Sequence, residues 1–490
     1  MDRNVSRRHF LKASFTAGAA LPFIPYALAR DVQVASAAKP RKIVVVGAGI
    51  AGLVAAFELT QSGHDVTVFE ARMRPGGRIH TLRDDFADGL HAEAGAIDIG
   101  DAYTLLLQYI RQFNLSLIEA GSTEKLRNPK DVFFLSGQRY TVAAGTDPNW
   151  PYQLSPEERK LGLQGLWNKY FIPVTRHMGD PTASDWPTAT ARELNDVTLN
   201  EFLRKQGASD GVIALLRMAF LGEDYDHVSG LQDLVWQEFF DRNKTWSQIK
   251  GGNDLLPSAF AERLGKRMNY DAILRKVVQD KNKVRLSITR GESLEQVEAD
   301  RVVIAIPFST LRNVILDDSF SFQKRMVISK LRYDSAVHVY LQSKSRFWLD
   351  QGLSGFATTD LPIRTILDHT ESQPGTRAIL GIETEGTTSR RVTAMSSEDR
   401  VRWSLENVCK VYPDMVQNFE GGTSVAWDEE QWSLGAAAYF APGEMTEMFP
   451  HVATAEGRVH FAGEHTSTIY VMEGAAQSGL RAAREVNAAL

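Results

Sequence analysis

An α/β fold follows from three features of the sequence. A short β-branched run, Ile43 to Val46, leads into Gly47-x-Gly49-x-x-Gly52 and a helix-period stretch; a second strand then ends in Glu70; and beyond residue 120 helical patterns give way to alternating runs. Each feature has a physical reading. Gly47 permits the tight turn, Gly49 lets backbone approach a pyrophosphate, Gly52 lets helix lie on strand, and the helix N-terminus faces the anion. Glu70 follows Gly52 by eighteen residues, where a carboxylate accepts hydrogen bonds from ribose hydroxyls and repels a 2′-phosphate. Strand, helix and acidic strand end in this register predict a Rossmann-like dinucleotide-binding domain.

The chain has 490 residues, enough for a large core and a bound cofactor, and excludes a small binding module. With 43% hydrophobic and 23% charged residues it reads as globular, not as disordered, collagenous or many-pass membrane protein. A net charge of −5 gives no footprint for nucleic acid. A single cysteine, Cys409, forbids an internal disulfide and a thiolate-rich metal site, and in RVRWSLENVCKVYPD it reads as a small buried apolar residue. The eleven histidines lack ligand spacing; His91-Ala-Glu93 and Glu464-His465 read as solvated or capping pairs, so no metal is expected.

The N-terminus, MDRNVSRRHFLKASFTAGAALPFIPYALA, has a basic start, an uncharged run from Ala13 to Ala29 and small residues after it, the pattern of a signal peptide. Ser6-Arg7-Arg8-His9-Phe10-Leu11-Lys12 matches the twin-arginine export signal, with cleavage after Ala29 or Ala37. The run is too short and too Pro-rich for a transmembrane helix, so the mature chain is expected to have none and to be periplasmic or secreted.

The segment Glu70-Ala71-Arg72-x-Arg74-Pro75-Gly76-Gly77-Arg78 adds a second glycine pair and a guanidinium beyond the strand. Here the sequence resembles the flavin-containing amine oxidase family, which includes monoamine, polyamine and L-amino-acid oxidases. Three further segments carry the resemblance: Ala272 to Val277 followed by LEQVEADRVVIAIP, Arg458 to Glu464, and Met472 to Gly479. The resemblance implies FAD, held by Gly47, Gly49, Gly52, Glu70, Ala71, Arg72, Gly77, Arg78, Gly95, Ala96, Leu274, Gly463, Glu464, Val471 and Met472. It assigns Arg78 and Gly77 to the pyrophosphate, Glu70 to the adenosine ribose, Leu274 to adenine, Glu464 to ribitol and the N-terminus of the last helix to the flavin pyrimidine. It also implies an FAD domain built from 40–120, 250–312 and 425–490, with 121–249 (helical) and 313–424 (sheet-containing) forming an α+β substrate domain after the 1–37 leader.

For such a protein the expected reaction is transfer of hydride from the α-carbon of a neutral amine to flavin N5, giving an imine that water hydrolyses. Trp236, Phe239, Phe240 and Trp246 are candidates to line the pocket, the first three also fitting a core at helical spacing. The chain departs from the family in four places. Between Trp427 and Phe440, including Trp432, alanine or glycine (Gly435 to Ala438) replaces the flavin-linking cysteine and a cage tyrosine, so the FAD is expected to be non-covalent. Val471 stands at the second cage position, with Tyr470 and Tyr439 as partial replacements. Asp98 replaces the arginine that pairs with substrate carboxylate in L-amino-acid oxidases, and His338 replaces the lysine that holds a water near flavin N5. The candidate catalytic set is therefore His338, Asp98, Tyr439, Tyr470 and Trp432.

Three functions remain in play at this level: an exported amine oxidase or dehydrogenase, an L-amino-acid oxidase or amino-acid monooxygenase, and a non-catalytic electron-transfer flavoprotein. Asp98 favours the first, because a carboxylate about 4 Å from it is repelled by roughly 4 kcal/mol at an effective dielectric of ~20. The partners expected are a small-molecule amine and either oxygen or an export-compartment electron acceptor. The oligomeric state is open, a homodimer being one outcome.

Overall fold

Residues Ile43, Val44 and Val45 have no exposed surface because they form the middle strand of a parallel sheet covered on both faces. The computed structural model describes residues 39–119, 130–143, 146–179, 186–221 and 226–489, and the leader lies outside them. The sheet has five strands in the order Met268–Asn269, Asp65–Phe69, Lys42–Val46, Arg301–Ile304 and Val459–Phe461, all parallel. Widely separated stretches of chain thus converge on one sheet. At the C-terminal ends of its strands begin the helices Ile50–Gln61 and, after Phe461, Met472–Ala488.

A second sheet has seven strands in the order Phe419–Ala426, Ala336–Ser343, Ala378–Glu385, Thr365–Asp368, Leu353–Thr359, Lys130–Leu135 and Gln138–Ala143. All neighbours are antiparallel except Leu353–Thr359 with Lys130–Leu135. Alternation decides its two faces. Val337, Val339 and Leu341 pack with Leu380, Ile382 and the helix residues Val408 and Val411. His338 and Tyr340 point the other way, Tyr340 joining Phe86, Leu90 and Ala92.

The first insert is not wholly helical. It begins with the hairpin Lys130–Leu135/Gln138–Ala143, which joins the sheet of the second insert. Its turn, Ser136 (φ 51°) and Gly137 (φ 75°), is left-handed at both positions, the geometry that matches strand twist in a two-residue hairpin. Helices Pro156–Tyr170, Ala189–Asn195, Leu199–Lys205, Asp210–Leu216 and Gly230–Asp241 follow, the first and third opened by capping boxes from Ser155–Glu158 and Thr198–Glu201. No helix among the described residues is long and apolar enough to cross a membrane.

Candidate active site

One cavity of about 700 Å³ runs from the glycine-rich turn to the seven-stranded sheet. At its first end Gly47 has φ 99°, and a Cβ there would lie 2.9 Å from Ala305 O; a Cβ on Gly52 would lie 1.9 Å from Gly47 O. Both glycines are required by the protein itself. Gly49 differs, since a Cβ there meets no protein atom within 4 Å and would extend into the cavity. Its neighbourhood is shaped for something else.

Glu70 fixes this turn. Its Oε2 accepts from Ala48 N at 2.6 Å and its Oε1 from Arg72 N at 2.8 Å. Burial pushes its carboxyl above the usual range, while these amides and Arg72 and Arg74 act against that shift. Gly76 N donates to Ala48 O at 2.8 Å, tying the second glycine pair to the first. Arg72 donates to Glu430 and Ser433, and Arg78 donates to Ala436 O at 2.5 Å and to Glu464 Oε1 at 2.9 Å. The two residues expected to serve pyrophosphate and ribitol separately are thus an ion pair, which anchors the 436–438 segment.

Three observations bear on whether a flavin dinucleotide fits. Gly49 leaves a cradle that a methyl would fill. The helices Ile50–Gln61 and Met472–Ala488 have no side-chain N-cap, and Ile50, Ala51, Val471, Met472 and Ala475 line the cavity, so free backbone N–H groups serve it from two directions. Tyr470 is buried, lines the cavity, and its hydroxyl has no hydrogen-bond partner among the described residues. These residues fit a long, anionic, polar-edged ligand.

Of the sequence-derived cofactor set, Gly47, Gly49, Glu70, Ala71, Arg72, Gly77, Arg78, Gly95, Ala96, Leu274, Gly463, Glu464, Val471 and Met472 line the cavity; Gly52 lies behind it. Asp98, His338, Trp432 and Tyr470 of the catalytic set also line it. Tyr439 does not. Strand Ala438–Tyr439 pairs Tyr439 with Arg332, which also hydrogen-bonds its side chain, so alternation turns it away from the cavity. Phe239 likewise packs against Tyr103, centroids 5.6 Å apart, and leaves Trp236, Phe240, Trp246 and Tyr103 as the aromatic wall. Trp236 stacks on Phe240 at 5.0 Å, and Phe240 meets Trp246 at 4.7 Å with the rings tilted by 34°.

Asp98 sits beside this wall, buried, with Oδ1 accepting from Gln248 Nε2 at 3.1 Å. Glu383 and Glu385 line the cavity too and were not singled out from the sequence. Glu383 is the antiparallel partner of His338, so their side chains share a face. The signal was two glutamates at alternate positions closing the run ILGIETE, legible only once that strand is set against 336–343.

Of the two pairs expected to be solvated or capping, Glu93, Glu464 and His465 are buried and His91 is half-buried. His465 is enclosed against Phe308, its ring held neutral by burial and by Arg78 and Lys324, which push its pKa well below the ordinary value. Glu93 is buried beneath the cavity wall, accepting from Asn253 N at 2.8 Å and Thr81 Oγ1 at 2.9 Å; burial pushes its pKa up to about 8. The folded state therefore holds a proton that the unfolded chain releases near its ordinary pKa of 4.5, and stability contributed by neutral Glu93 falls as pH rises from 4.5 to about 8. Glu93→Gln is expected to flatten the decline of unfolding free energy over pH 5 to 8, by up to about 1.4 kcal/mol per pH unit. Denaturant titrations of both proteins across that range check it; parallel slopes contradict it. Among the described residues no cluster of three His, Cys, Asp or Glu is arranged to hold a metal ion.

A family model described as "Flavin containing amine oxidoreductase" matches residues 50–487. YobN of Bacillus subtilis (strain 168), whose name assigns it provisionally to the L-amino-acid oxidases, is 34% identical over 462 residues, covering 91% of this chain and 95% of its own. An L-amino-acid oxidase of Pseudechis australis is 27% identical, covering 92% and 87%. Among solved structures, putrescine oxidase bound to putrescine superposes with TM-score 0.77 at 22% identity (92% of this chain, 99% of that one). Cyclohexylamine oxidase from Brevibacterium oxydans IH-35A gives 0.76 at 22% identity (92% and 98%). These two likenesses show the fold.

Proposed function

We propose, from the premise that the chain belongs to the flavin-containing amine oxidoreductase family, that it binds FAD without a covalent bond and oxidises cationic amines that carry no carboxylate beside the reacting nitrogen. The observation that carries the substrate class is the charge of the cavity. Asp98, Glu383 and Glu385 line it together with the aromatic wall, Glu385 being paired with Arg364 at 3.0 Å, whereas the guanidinium groups lining it, Arg72, Arg78 and Arg275, belong to the dinucleotide segments. A substrate ammonium is attracted there and an amino-acid carboxylate repelled.

FAD, when bound, supplies the two-electron acceptor for C–N oxidation. Gly47, Gly49 and the helix beginning at Ile50 would hold its pyrophosphate, Glu70 the adenosine ribose, Leu274 the adenine, Arg78 and Glu464 the ribityl chain, and the N-terminus at Val471 and Met472 the pyrimidine edge. The protein's own contribution is orientation: Asp98 attracts the ammonium, and Tyr103, Trp236, Phe240 and Trp246 exclude water around the reacting carbon. Steady-state kcat/KM for an L-amino acid and for the amine left by removing its carboxylate tests the reading. A preference for the amine is expected; faster turnover of the amino acid would establish the L-amino-acid oxidase reading, which the names of the relatives favour.

The 436–437 lining is alanine, and Cys409 lies on the helix Ser397–Val411 away from the cavity, which supports a non-covalent flavin. Acid precipitation is expected to leave FAD in the supernatant; flavin retained in the washed, proteolysed pellet contradicts this. Twin-arginine export rests on the leader sequence alone, and loss of export in Arg8→Lys, with the cofactor-loaded precursor kept in the cytoplasm, is its test. The electron acceptor is oxygen or an export-compartment carrier. With histidine at 338, reoxidation by oxygen is expected to be slow and to accelerate in His338→Lys.

A further inference from the structure

The Tyr340 hydroxyl lies 2.5 Å from the backbone oxygen of Glu93 and 3.1 Å from His338 Nδ1. A carbonyl oxygen only accepts, so the phenolic proton occupies the shorter bond and Tyr340 offers the imidazole nothing but lone pairs. His338 Nδ1 must then carry the hydrogen of the longer one. Tyr340 is fully buried, and burial pushes its phenol well above the ordinary value, which keeps that proton in place. Strand pairing leaves little freedom: His338 is held between Glu383 on one side and Val425 on the other.

We propose that Tyr340 is a positioning residue that holds neutral His338 in its Nδ1–H form, so that Nε2 serves the cavity as the base that takes a proton from the substrate ammonium. The inference rests on the amine-oxidation reading above. In this step one N–H bond of the ammonium breaks, its electron pair stays on the amine nitrogen, and the proton forms a new bond to Nε2; the amine becomes neutral and the ring cationic. The charged groups around the ring suit that transfer. Its own strand supplies only the neutral phenol of Tyr340, the neighbouring strand presents Glu383 and a Glu385 paired with Arg364 at 3.0 Å, the strand Phe419–Ala426 places uncharged Val425 opposite, and Asp98 lines the same cavity. The positive charge stays inside the cavity through this step, because both the amine and the ring lie where Asp98 and Glu383 line it.

The test is the tautomer itself, read from long-range ¹H–¹⁵N correlations of the ¹⁵N-histidine-labelled flavoenzyme, with the His338 signals identified by their loss in His338→Gln. At alkaline pH wild type is expected to show a protonated Nδ1 and a bare Nε2. Tyr340→Phe is expected to mix the two forms and to lower amine kcat/KM about tenfold, with the acid limb of its pH profile altered. An Nε2–H tautomer in wild type overturns the proposal, as does a tautomer and pH profile unmoved in Tyr340→Phe. Should that variant fail to fold, the wild-type tautomer still decides. The Nδ1–H form found in a protein whose flavin no amine can reduce overturns the base role through the failure of the substrate reading, a result distinct from the wrong tautomer.

Discussion

Asp98→Asn is expected to lower kcat/KM for the best amine by about a hundredfold, mainly through KM, while flavin content stays unchanged. The residue is buried beside the aromatic wall, and its Oδ1 accepts from Gln248. The amide oxygen of asparagine can keep that hydrogen bond while the substitution removes the negative charge. Two unit charges about 4 Å apart at an effective dielectric of ~20 attract by about 4 kcal/mol, and removing one partner of a buried pair costs about 2–5 kcal/mol. About 3 kcal/mol corresponds to the hundredfold loss. Initial-rate kinetics on flavin-matched samples measure it. An unchanged kcat/KM would show that the ammonium is not held by Asp98, and a gain of amino-acid turnover would assign Asp98 a purely repulsive role.

The two glycines of the first turn should respond in opposite ways to a single methyl group. Gly52→Ala places a Cβ 1.9 Å from the Gly47 carbonyl oxygen, which only a backbone shift relieves; a loss of about 4 kcal/mol or more, seen as insoluble or molten protein, is expected. Gly49→Ala places its methyl against no protein atom, at a residue with φ −67° that any side chain tolerates. The flavin-free protein should therefore unfold within about 1 kcal/mol of wild type, yet bind FAD at least tenfold more weakly, about 1.4 kcal/mol. Thermal unfolding of the flavin-free protein and quenching of FAD fluorescence separate the two effects. Normal FAD affinity in Gly49→Ala would mean that the ligand does not approach this turn.

Much of the dinucleotide half was legible in the sequence because its residues act through backbone shape. Gly47, Gly52 and Glu70 are dictated by a turn, a close approach and a strand end, each visible within thirty residues of chain. The opposite wall was less legible because it depends on register between distant strands. Nothing local places Glu383 beside His338, or directs the Tyr340 hydroxyl to the Glu93 carbonyl. Tyr439 shows the converse: a tyrosine at a suggestive position is turned to Arg332 by pairing with residues a hundred positions earlier. The hairpin 130–143 was hidden by the helical patterns that follow it, although Ser136-Gly137 between alternating residues carries the turn signal. The burial of Glu93 and His465 came from packing between segments, which composition and spacing do not report.

The central claim is that this cavity holds a flavin that cationic amines reduce. Anaerobic mixing of the purified yellow protein with a matched pair, an L-amino acid and its decarboxylated amine, tests it most directly by absorbance at the flavin band. The band is expected to bleach with the amine, at a rate saturating with concentration, and much more slowly with the amino acid. Bleaching by the amino acid alone, or by neither member of several such pairs, would contradict it.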